Sequence, residues 1–167
     1  MRIATPADAP ALAANVADGL ASYREWAPAG WTSPAIGAAE IARVADRLGE
    51  PGVWSLLALD GGHVAGHIGL GPTTREDPEP APPGTTNVWQ LFVREPWRGR
   101  AVASALMRAA VAEAEERGFE TMRLWTPQGA GRARAFYERE GWRLTGEIHE
   151  RTPIGLVTVQ YARAVRS

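Results

Sequence analysis

The sequence contains no cysteine. This absence excludes disulfide bonds, a thiol nucleophile and every metal site built on thiolate ligands. The three histidines, His63, His67 and His149, lack the close helical spacing of paired metal ligands. No metal site is therefore expected.

Long apolar runs and a charge excess of either sign are also missing. No stretch is long and apolar enough to cross a membrane, and residues 1–8 lack the apolar core of a signal peptide. The formal net charge of −1 argues against nucleic acid or an anionic membrane surface as a partner. These absences favour a cytoplasmic protein that binds neither.

What the chain does contain is an alternation of helix and strand patterns over 167 residues, a length typical of one domain, 1–167. Hydrophobic periodicity, caps and turn residues predict about seven strands and about four helices. The predicted strands are 2–4, 53–59, 63–70, 88–93, 121–126, 142–148 and 156–162, and the predicted helices are 6–22, 33–49, one ending at Arg117, and 131–140. This order predicts an α/β fold of the α+β, mixed-sheet kind.

A short basic turn joins one predicted strand to a helix. Residues 88–93 read Val-Trp-Gln-Leu-Phe-Val, and Arg98-Gly-Arg-Ala-Val-Ala-Ser104 leads into a run of good helix formers. The first turn of a helix has unpaired backbone N–H groups and a partial positive charge. Small residues let an anion approach that backbone closely, so the turn predicts a site for a phosphate-bearing ligand.

A second block, Ala133-Arg-Ala-Phe-Tyr-Glu-Arg-Glu-Gly-Trp142, follows at a fixed separation. Together the two blocks resemble the GNAT superfamily of acyl-CoA-dependent N-acyltransferases. The first resembles its Q/R-x-x-G-x-G/A motif, with Arg98 leading and Ala103 last. The second resembles its A-x-x-F-Y-E-x-x-G-F/W segment. The resemblance covers about residues 53–162 and implies a GNAT-like fold.

The resemblance also implies site residues. The backbone of the phosphate turn would hold the pyrophosphate of acetyl-CoA, and strands would diverge so that the cofactor's pantetheine arm pairs with the first of them. Tyr137 would act as general acid and protonate the leaving thiolate. The implied cofactor-binding residues are Leu91, Phe92, Val93, Arg98, Gly99, Arg100, Ala101, Val102, Ala103 and Ser104.

Two residues depart from the family pattern, and a catalytic base is missing. Ala101 stands at the central glycine of the first motif, and Ala130 replaces the asparagine often found before the second helix. The two strands that would diverge carry no carboxylate where many members place a glutamate. The base would then be a chain of water molecules or a residue from another element. His149 and Glu150, beside the last turn, are candidates for the base or for amine binding; an exposed polar turn is the equal alternative.

Three further features have two readings each. Trp26 and Trp31 lie in the loop between the first two helices, where they would either flank an amine by cation–π contact or pack. His67 lies in a strand pattern and is more often a satisfied sheet histidine than a base. Residues 71–84, with five prolines and the acids Glu76, Asp77 and Glu79, form either a mobile substrate flap or a solvated loop.

The function implied by the resemblance is an N-acetyltransferase that transfers the acetyl group of acetyl-CoA to a primary amine of a small molecule. The amine would attack directly, with no covalent enzyme intermediate. Transfer to a protein or peptide stays open, as does a non-catalytic acyl-CoA sensor module. The sequence also leaves open whether the chain forms a homodimer.

Overall fold

A computed structural model describes residues 1–74, 77–151 and 154–166, with Arg151 described for its backbone alone. Its helices are α1 (Ala9–Ala21), α2 (Ala38–Gly49), α3 (Val102–Glu116) and α4 (Gly131–Arg139). Its strands are β1 (Arg2–Ile3), β2 (Trp54–Asp60), β3 (His63–Gly71), β4 (Thr85–Val93), β5 (Thr121–Pro127), β6 (Arg143–Arg151) and β7 (Leu156–Ala164). The predicted mixed-sheet fold with seven strands and four helices is confirmed.

All seven strands form one sheet in the order β1-β2-β3-β4-β5-β7-β6. The β4–β5 pair is parallel, and the other neighbouring pairs are antiparallel. Helices cover both faces. Apolar residues of α1 and α2 pack on one face with Leu57, and those of α3 pack on the other with Met122 and Tyr161. The alternation of side chains along each strand supplies both cores.

Two predicted boundaries are wrong. The second helix begins at Ala38, not at residue 33, because Gly37 is the N-cap and the segment with Pro34 and Ile36 lines a cleft instead. The last hairpin is longer than predicted, since β6 continues to Arg151 and pairs with β7. His149 and Glu150 are therefore strand residues. Pairing with a neighbouring strand overrode the polar composition of this segment.

A buried polar network connects α1 to the sheet. His67 is fully buried; the Asn15 amide lies 3.1 Å from its Nδ1 and Gln90 Oε1 lies 3.0 Å from its Nε2. These contacts suit a neutral imidazole that accepts at Nδ1 and donates at Nε2. Burial lowers the pKa of His67 to about 4, although the Gln90 contact opposes the change. The reading as a satisfied sheet histidine fits this environment.

This network predicts a loss of stability in mild acid. Because His67 has a pKa of about 4 when folded and about 6.5 when unfolded, the unfolded chain binds more protons between those values. Stability is therefore lost as the pH falls from 7 toward 4. By linkage, we expect the free energy of unfolding to drop by about 2 kcal/mol between pH 7 and 5 from this residue.

Urea denaturation at the two pH values measures the effect. His67→Gln should remove most of the pH-dependent component, while His63→Gln is the matched control because His63 lies exposed at the β2–β3 turn. An identical pH dependence in wild type and His67→Gln would contradict the assignment.

Candidate functional site

The parallel strands β4 and β5 separate in mid-sheet. They pair from Thr85 and Thr121 as far as Val88 and Leu124, and beyond these residues the two strands share no further register. We call this point of divergence the fork. On its other edge β4 stays paired with β3 up to Val93. The predicted divergence of two strands is thus present.

A bulge reinforces the fork. Gly69 of β3 pairs with Gln90 and Leu70 pairs with Val88, so Trp89 is the extra residue in β4. The Trp89 indole lies directly on Gly69, where an added Cβ would stand 2.3 Å from Trp89 Nε1. Past the bulge, the edge of β4 that faces β5 has backbone groups without a strand partner. An extended ligand arm can add to such an edge as another strand would.

The phosphate turn follows β4 directly. A short 3-10 helix, Glu95–Trp97, leads to Gly99 with φ +75° and Ala101 with φ +60°, and α3 begins at the next residue. Two left-handed positions close together fold the chain back so that the start of α3 faces the cleft. The backbone N–H groups of the first helical turn lack intrahelical partners and suit an anion.

Arg98 has a structural part in this turn. Its Nε donates to the carbonyl of Val93 at 3.0 Å, and its Nη2 donates to the carboxylate of Asp18 at 3.2 Å. Asp18 also accepts from the backbone N–H of Glu95 at 3.1 Å. Arg98 therefore joins the end of β4 to α1. Its cation lines the cleft but is already shared with one carboxylate.

The left-handed backbone of Ala101 makes this a position where glycine should stabilise the protein. A left-handed φ costs alanine roughly 1–2 kcal/mol, whereas glycine adopts it freely and loses only part of that gain to chain entropy. We expect Ala101→Gly to raise the free energy of unfolding by roughly 0.5–1 kcal/mol, measured by urea denaturation. Ala112→Gly, at an exposed position inside α3, is the control and should lower it by a similar amount. A loss of stability in Ala101→Gly would refute the reading.

The fork and the phosphate turn border one cleft of about 680 Å³. This volume lies within the range of small-molecule sites, roughly 300–1,000 Å³. Most of the predicted site residues line it: Trp26, Leu91, Phe92, Val93, Arg98, Gly99, Ala101, Val102, Ala103, Ser104 and Tyr137. Trp31, Arg100, His149 and Glu150 do not border it.

Tyr137 lies on the wall of this cleft. Its side chain is 8% exposed, and its ring packs against Phe136, Trp142 and Tyr161 with centroids 5.4 to 6.2 Å apart. Burial raises the pKa of the Tyr137 phenol well above its ordinary value near 10, and the neighbouring Tyr23 raises it further. The hydroxyl therefore holds its proton throughout the neutral range and can only act as a donor acid there.

The candidates for a base lie elsewhere. The ring of His149 lies 6.2 Å from the ring of Trp125, and Trp125 lines the cleft. Glu150 is exposed on β6. Neither residue lines the cleft, and both belong to the paired strand β6 and not to a turn. A role for either as base stays a prediction without support from the cleft geometry.

The segment between α1 and α2, residues 22–37, borders the cleft, and we call it the roof. Trp26 packs on Gly129, where an added Cβ would lie 2.7 Å from the indole Cε3. The Trp31 indole N–H donates to the carbonyl of Ile154 at 2.7 Å, so Trp31 supports the roof from outside. Only Trp26 of the predicted tryptophan pair therefore faces the ligand space.

Sequence reasoning missed several lining residues. Tyr23 lies in the roof, and burial raises its pKa to about 12. Of the two carboxylates that line the cleft among the described residues, Glu40 was missed and accepts two hydrogen bonds from Arg43. The other is Glu25, for which the sequence predicts an attraction for a cation. Arg132 and Arg139 of α4 also border it. Arg132 and Arg139 lie next to the motif residues in the sequence, and this proximity could have indicated them. No sequence pattern distinguishes them from charged residues on the exposed face of a helix.

The residues 71–84 are tied down at several described points. Arg123, only 5% exposed, donates to Asn87 Oδ1 at 2.5 Å and to the carbonyl of Glu79 at 2.9 Å. Asp77 accepts from the backbone N–H of Thr74 at 2.7 Å. Glu76 lies outside the described residues. The described part of this loop does not line the cleft itself, but Thr74 and Asp77 border a small pocket together with Trp89 and Trp125. A substrate flap and a solvated loop both stay predictions.

Within the described ranges, no group of three or more acidic or histidine side chains is placed to hold a metal ion. Nor does any helix there have the length and apolar character needed to span a bilayer.

Comparison with known proteins supplies the family. The description "Acetyltransferase (GNAT) family" matches residues 20–142. No curated protein matches the sequence significantly. Among solved structures, the ribosomal-protein-alanine N-acetyltransferase from Brucella melitensis is 22% identical with a TM-score of 0.73, over 98% of this chain and 99% of that one.

Two other similar structures agree. A GNAT-family acetyltransferase from Desulfovibrio desulfuricans is 20% identical with a TM-score of 0.71, over 98% of this chain and 99% of that chain. An aminoglycoside 6'-N-acetyltransferase complexed with coenzyme A is 16% identical with a TM-score of 0.70, over 100% and 98%. At these identities the structures show the fold alone. With the family match across most of the sequence, the chain belongs to the GNAT acetyltransferase family.

Proposed function

We propose that this enzyme transfers the acetyl group of acetyl-CoA to a primary amine of a small molecule. One observation carries the proposal: the phosphate turn, the open edge of β4 and the Tyr137 ring all border the same cleft. A phosphate site, an edge for an extended arm and an acid in one cleft match the three parts of an acyl-CoA thioester. A similar structure is described with coenzyme A bound.

The chain offers one group for each part of the cosubstrate. The first turn of α3, from Val102 to Ser104, would bind the pyrophosphate through its backbone N–H groups. The end of α4 lies beside this turn, since Ser104 Oγ donates to the Glu140 carboxylate at 2.6 Å, and Arg139 next to Glu140 lines the cleft and adds a positive charge. The backbone of Leu91–Val93 would pair with the pantetheine arm along the free edge of β4. The thioester then supplies the acetyl group at the fork.

Tyr137 would protonate the departing thiolate. Its raised pKa keeps the phenol protonated, and a positioned acid of this kind contributes about 10²–10⁴-fold to a rate. The attacking nitrogen must be uncharged, although a free alkylammonium has a pKa of about 10.4. Glu25 forms no ion pair with another described residue, and it is our candidate for attracting the ammonium before its proton is lost.

The alternatives concern the acceptor and catalysis itself. The Brucella protein is named for a ribosomal-protein alanine, and another similar structure for an aminoglycoside. In this protein the α1–α2 segment covers the cleft. A covered cleft favours a compact acceptor over a folded protein segment. A non-catalytic sensor is disfavoured because the acid position is retained as Tyr137.

Two measurements on the same preparation test the proposal. Calorimetry with acetyl-CoA should show binding, and thiol release should appear when amines from a broad panel are added. Binding together with an absence of turnover across amino acids, polyamines, arylalkylamines, aminoglycosides and peptides would support the sensor instead. Turnover with peptides alone would support the protein acceptor.

A further inference from the structure

The end of the cleft away from the phosphate turn is walled by aromatic rings. Trp89 and Trp125 are the residues directly after the last paired positions of β4 and β5, so they flank the fork. Both line the cleft, together with Tyr23 and Trp26 of the roof. Aromatic side chains thus border the acceptor space both from the sheet and from the roof.

Contacts within the protein hold these walls. The rings of Tyr23 and Trp26 lie 4.6 Å apart between centroids, and Tyr23 also contacts Trp31 at 6.0 Å. Trp26 packs on Gly129 of the β5–α4 loop, and Trp31 is hydrogen-bonded to Ile154. The roof therefore contacts both the loop between β5 and α4 and the turn between β6 and β7. A preformed apolar wall lowers the cost of ordering on binding.

Arginine already supplies positive charge at this end, because Arg43 lines the cleft and the Arg47 guanidinium lies 5.8 Å from the centre of the Trp89 ring. Of the two carboxylates that line the cleft, Glu40 already receives two hydrogen bonds from Arg43, at 2.8 and 2.6 Å. Among the described carboxylates that line the cleft, Glu25 is the one without an ion pair, so it can balance an added cation. One carboxylate among aromatic walls suits a ligand with one ammonium group, whereas a polycation would leave further charges facing rings and aliphatic side chains.

We propose that the acceptor is a monoamine with an aromatic or similarly flat apolar group. The flat group stacks in the space between Trp26 and Trp125, and the amine points to the fork beside Tyr137. This inference rests on the proposed function. In the reaction the nitrogen forms a bond to the acetyl carbon as the carbon–sulfur bond breaks. The sulfur takes the Tyr137 proton, and the proton lost by nitrogen passes to solvent, which reprotonates the phenol.

The test compares primary amines that differ in shape and in the number of charges. Thiol release from acetyl-CoA is measured with phenethylamine, tryptamine, propylamine, spermidine and kanamycin. We expect kcat/KM to be at least about tenfold higher for the two arylalkylamines than for propylamine, as expected for one good aromatic contact. Spermidine and kanamycin should react more slowly than either arylalkylamine.

The variant Trp125→Leu localises the effect. It should raise KM for phenethylamine about tenfold while changing KM for propylamine and for acetyl-CoA by less than about threefold. Propylamine turnover is measured on the same preparation. A misfolded variant is therefore recognised because it loses turnover with both amines. Trp26→Leu should act in the same direction, since that ring lies on the opposite wall.

The outcomes separate the two proposals. Faster turnover of spermidine or kanamycin than of phenethylamine would overturn the aromatic acceptor and leave amine acetylation intact. Equal KM changes for phenethylamine and propylamine in Trp125→Leu would also overturn it. Acetyl-CoA binding without turnover of any amine would reject the proposed function, and the acceptor assignment with it.

Discussion

Replacing Tyr137 with phenylalanine is expected to lower kcat about 10²-fold or more while leaving the affinity for acetyl-CoA unchanged. The substitution removes the proton that would pass to the departing sulfur. It keeps the ring and its contacts with Phe136, Trp142 and Tyr161, so the cleft wall stays in place. Steady-state thiol release gives kcat, and calorimetry gives the affinity.

Tyr161→Phe is the matched control. The Tyr161 hydroxyl donates to Glu138 at 2.8 Å and accepts from Arg134 at 3.1 Å, and the residue does not border the cleft. Its loss is expected to lower stability by about 1 kcal/mol and to leave kcat within about threefold. If Tyr137→Phe kept the wild-type kcat, the hydroxyl would have no part in the reaction.

The second large effect is expected from a single negative charge in the phosphate turn. Ala103 is the second residue of α3 and lines the cleft. An aspartate there interacts favourably with the helix dipole, by about 0.3–1 kcal/mol, so folding is preserved. The same carboxylate repels a pyrophosphate; two charges about 4 Å apart interact by about 4 kcal/mol at an effective dielectric constant near 20. Ala103→Asp should therefore weaken acetyl-CoA binding about 10²-fold or more.

Ala103→Asn separates charge from size, because the side chains have nearly the same shape. It should weaken binding far less than aspartate does. Pantetheine, which has no pyrophosphate, should bind both variants alike. Equal losses for acetyl-CoA and pantetheine in Ala103→Asp would place the pyrophosphate elsewhere. This substitution is a cleaner test than a change at Arg98, whose contacts with Val93 and Asp18 also support the fold.

The motif-bearing part of the site could be predicted because its chemistry is local. The turn at Gly99 and Ala101 and the start of α3 depend on a few consecutive residues. Tyr137 lies within a recognisable helix segment. The alternation of strands and helices likewise fixed the element order. Short-range geometry, with 3.6-residue and two-residue periods, determines all of these features.

The acceptor side could not be predicted because distant segments build it. Nothing in the local sequence of Trp26 indicates that it packs on Gly129, more than a hundred residues later. The strand pairing that places Glu150 on β6 depends equally on a partner strand. The sequence indicates that Arg98 belongs to the phosphate turn. It does not indicate the contact with Asp18, which lies on the distant helix α1. Such tertiary contacts leave no periodic trace in the sequence.

The central claim is direct transfer of an acetyl group to an amine, and one mass-spectrometric measurement tests it. The enzyme is incubated with acetyl-CoA alone and then with phenethylamine, while free thiol, acetylated amine and the mass of the protein are followed together. We expect one acetylated amine for each thiol released and a protein mass that never changes. Release of thiol without an acetylated amine, or an acetylated protein before the amine is added, would contradict it.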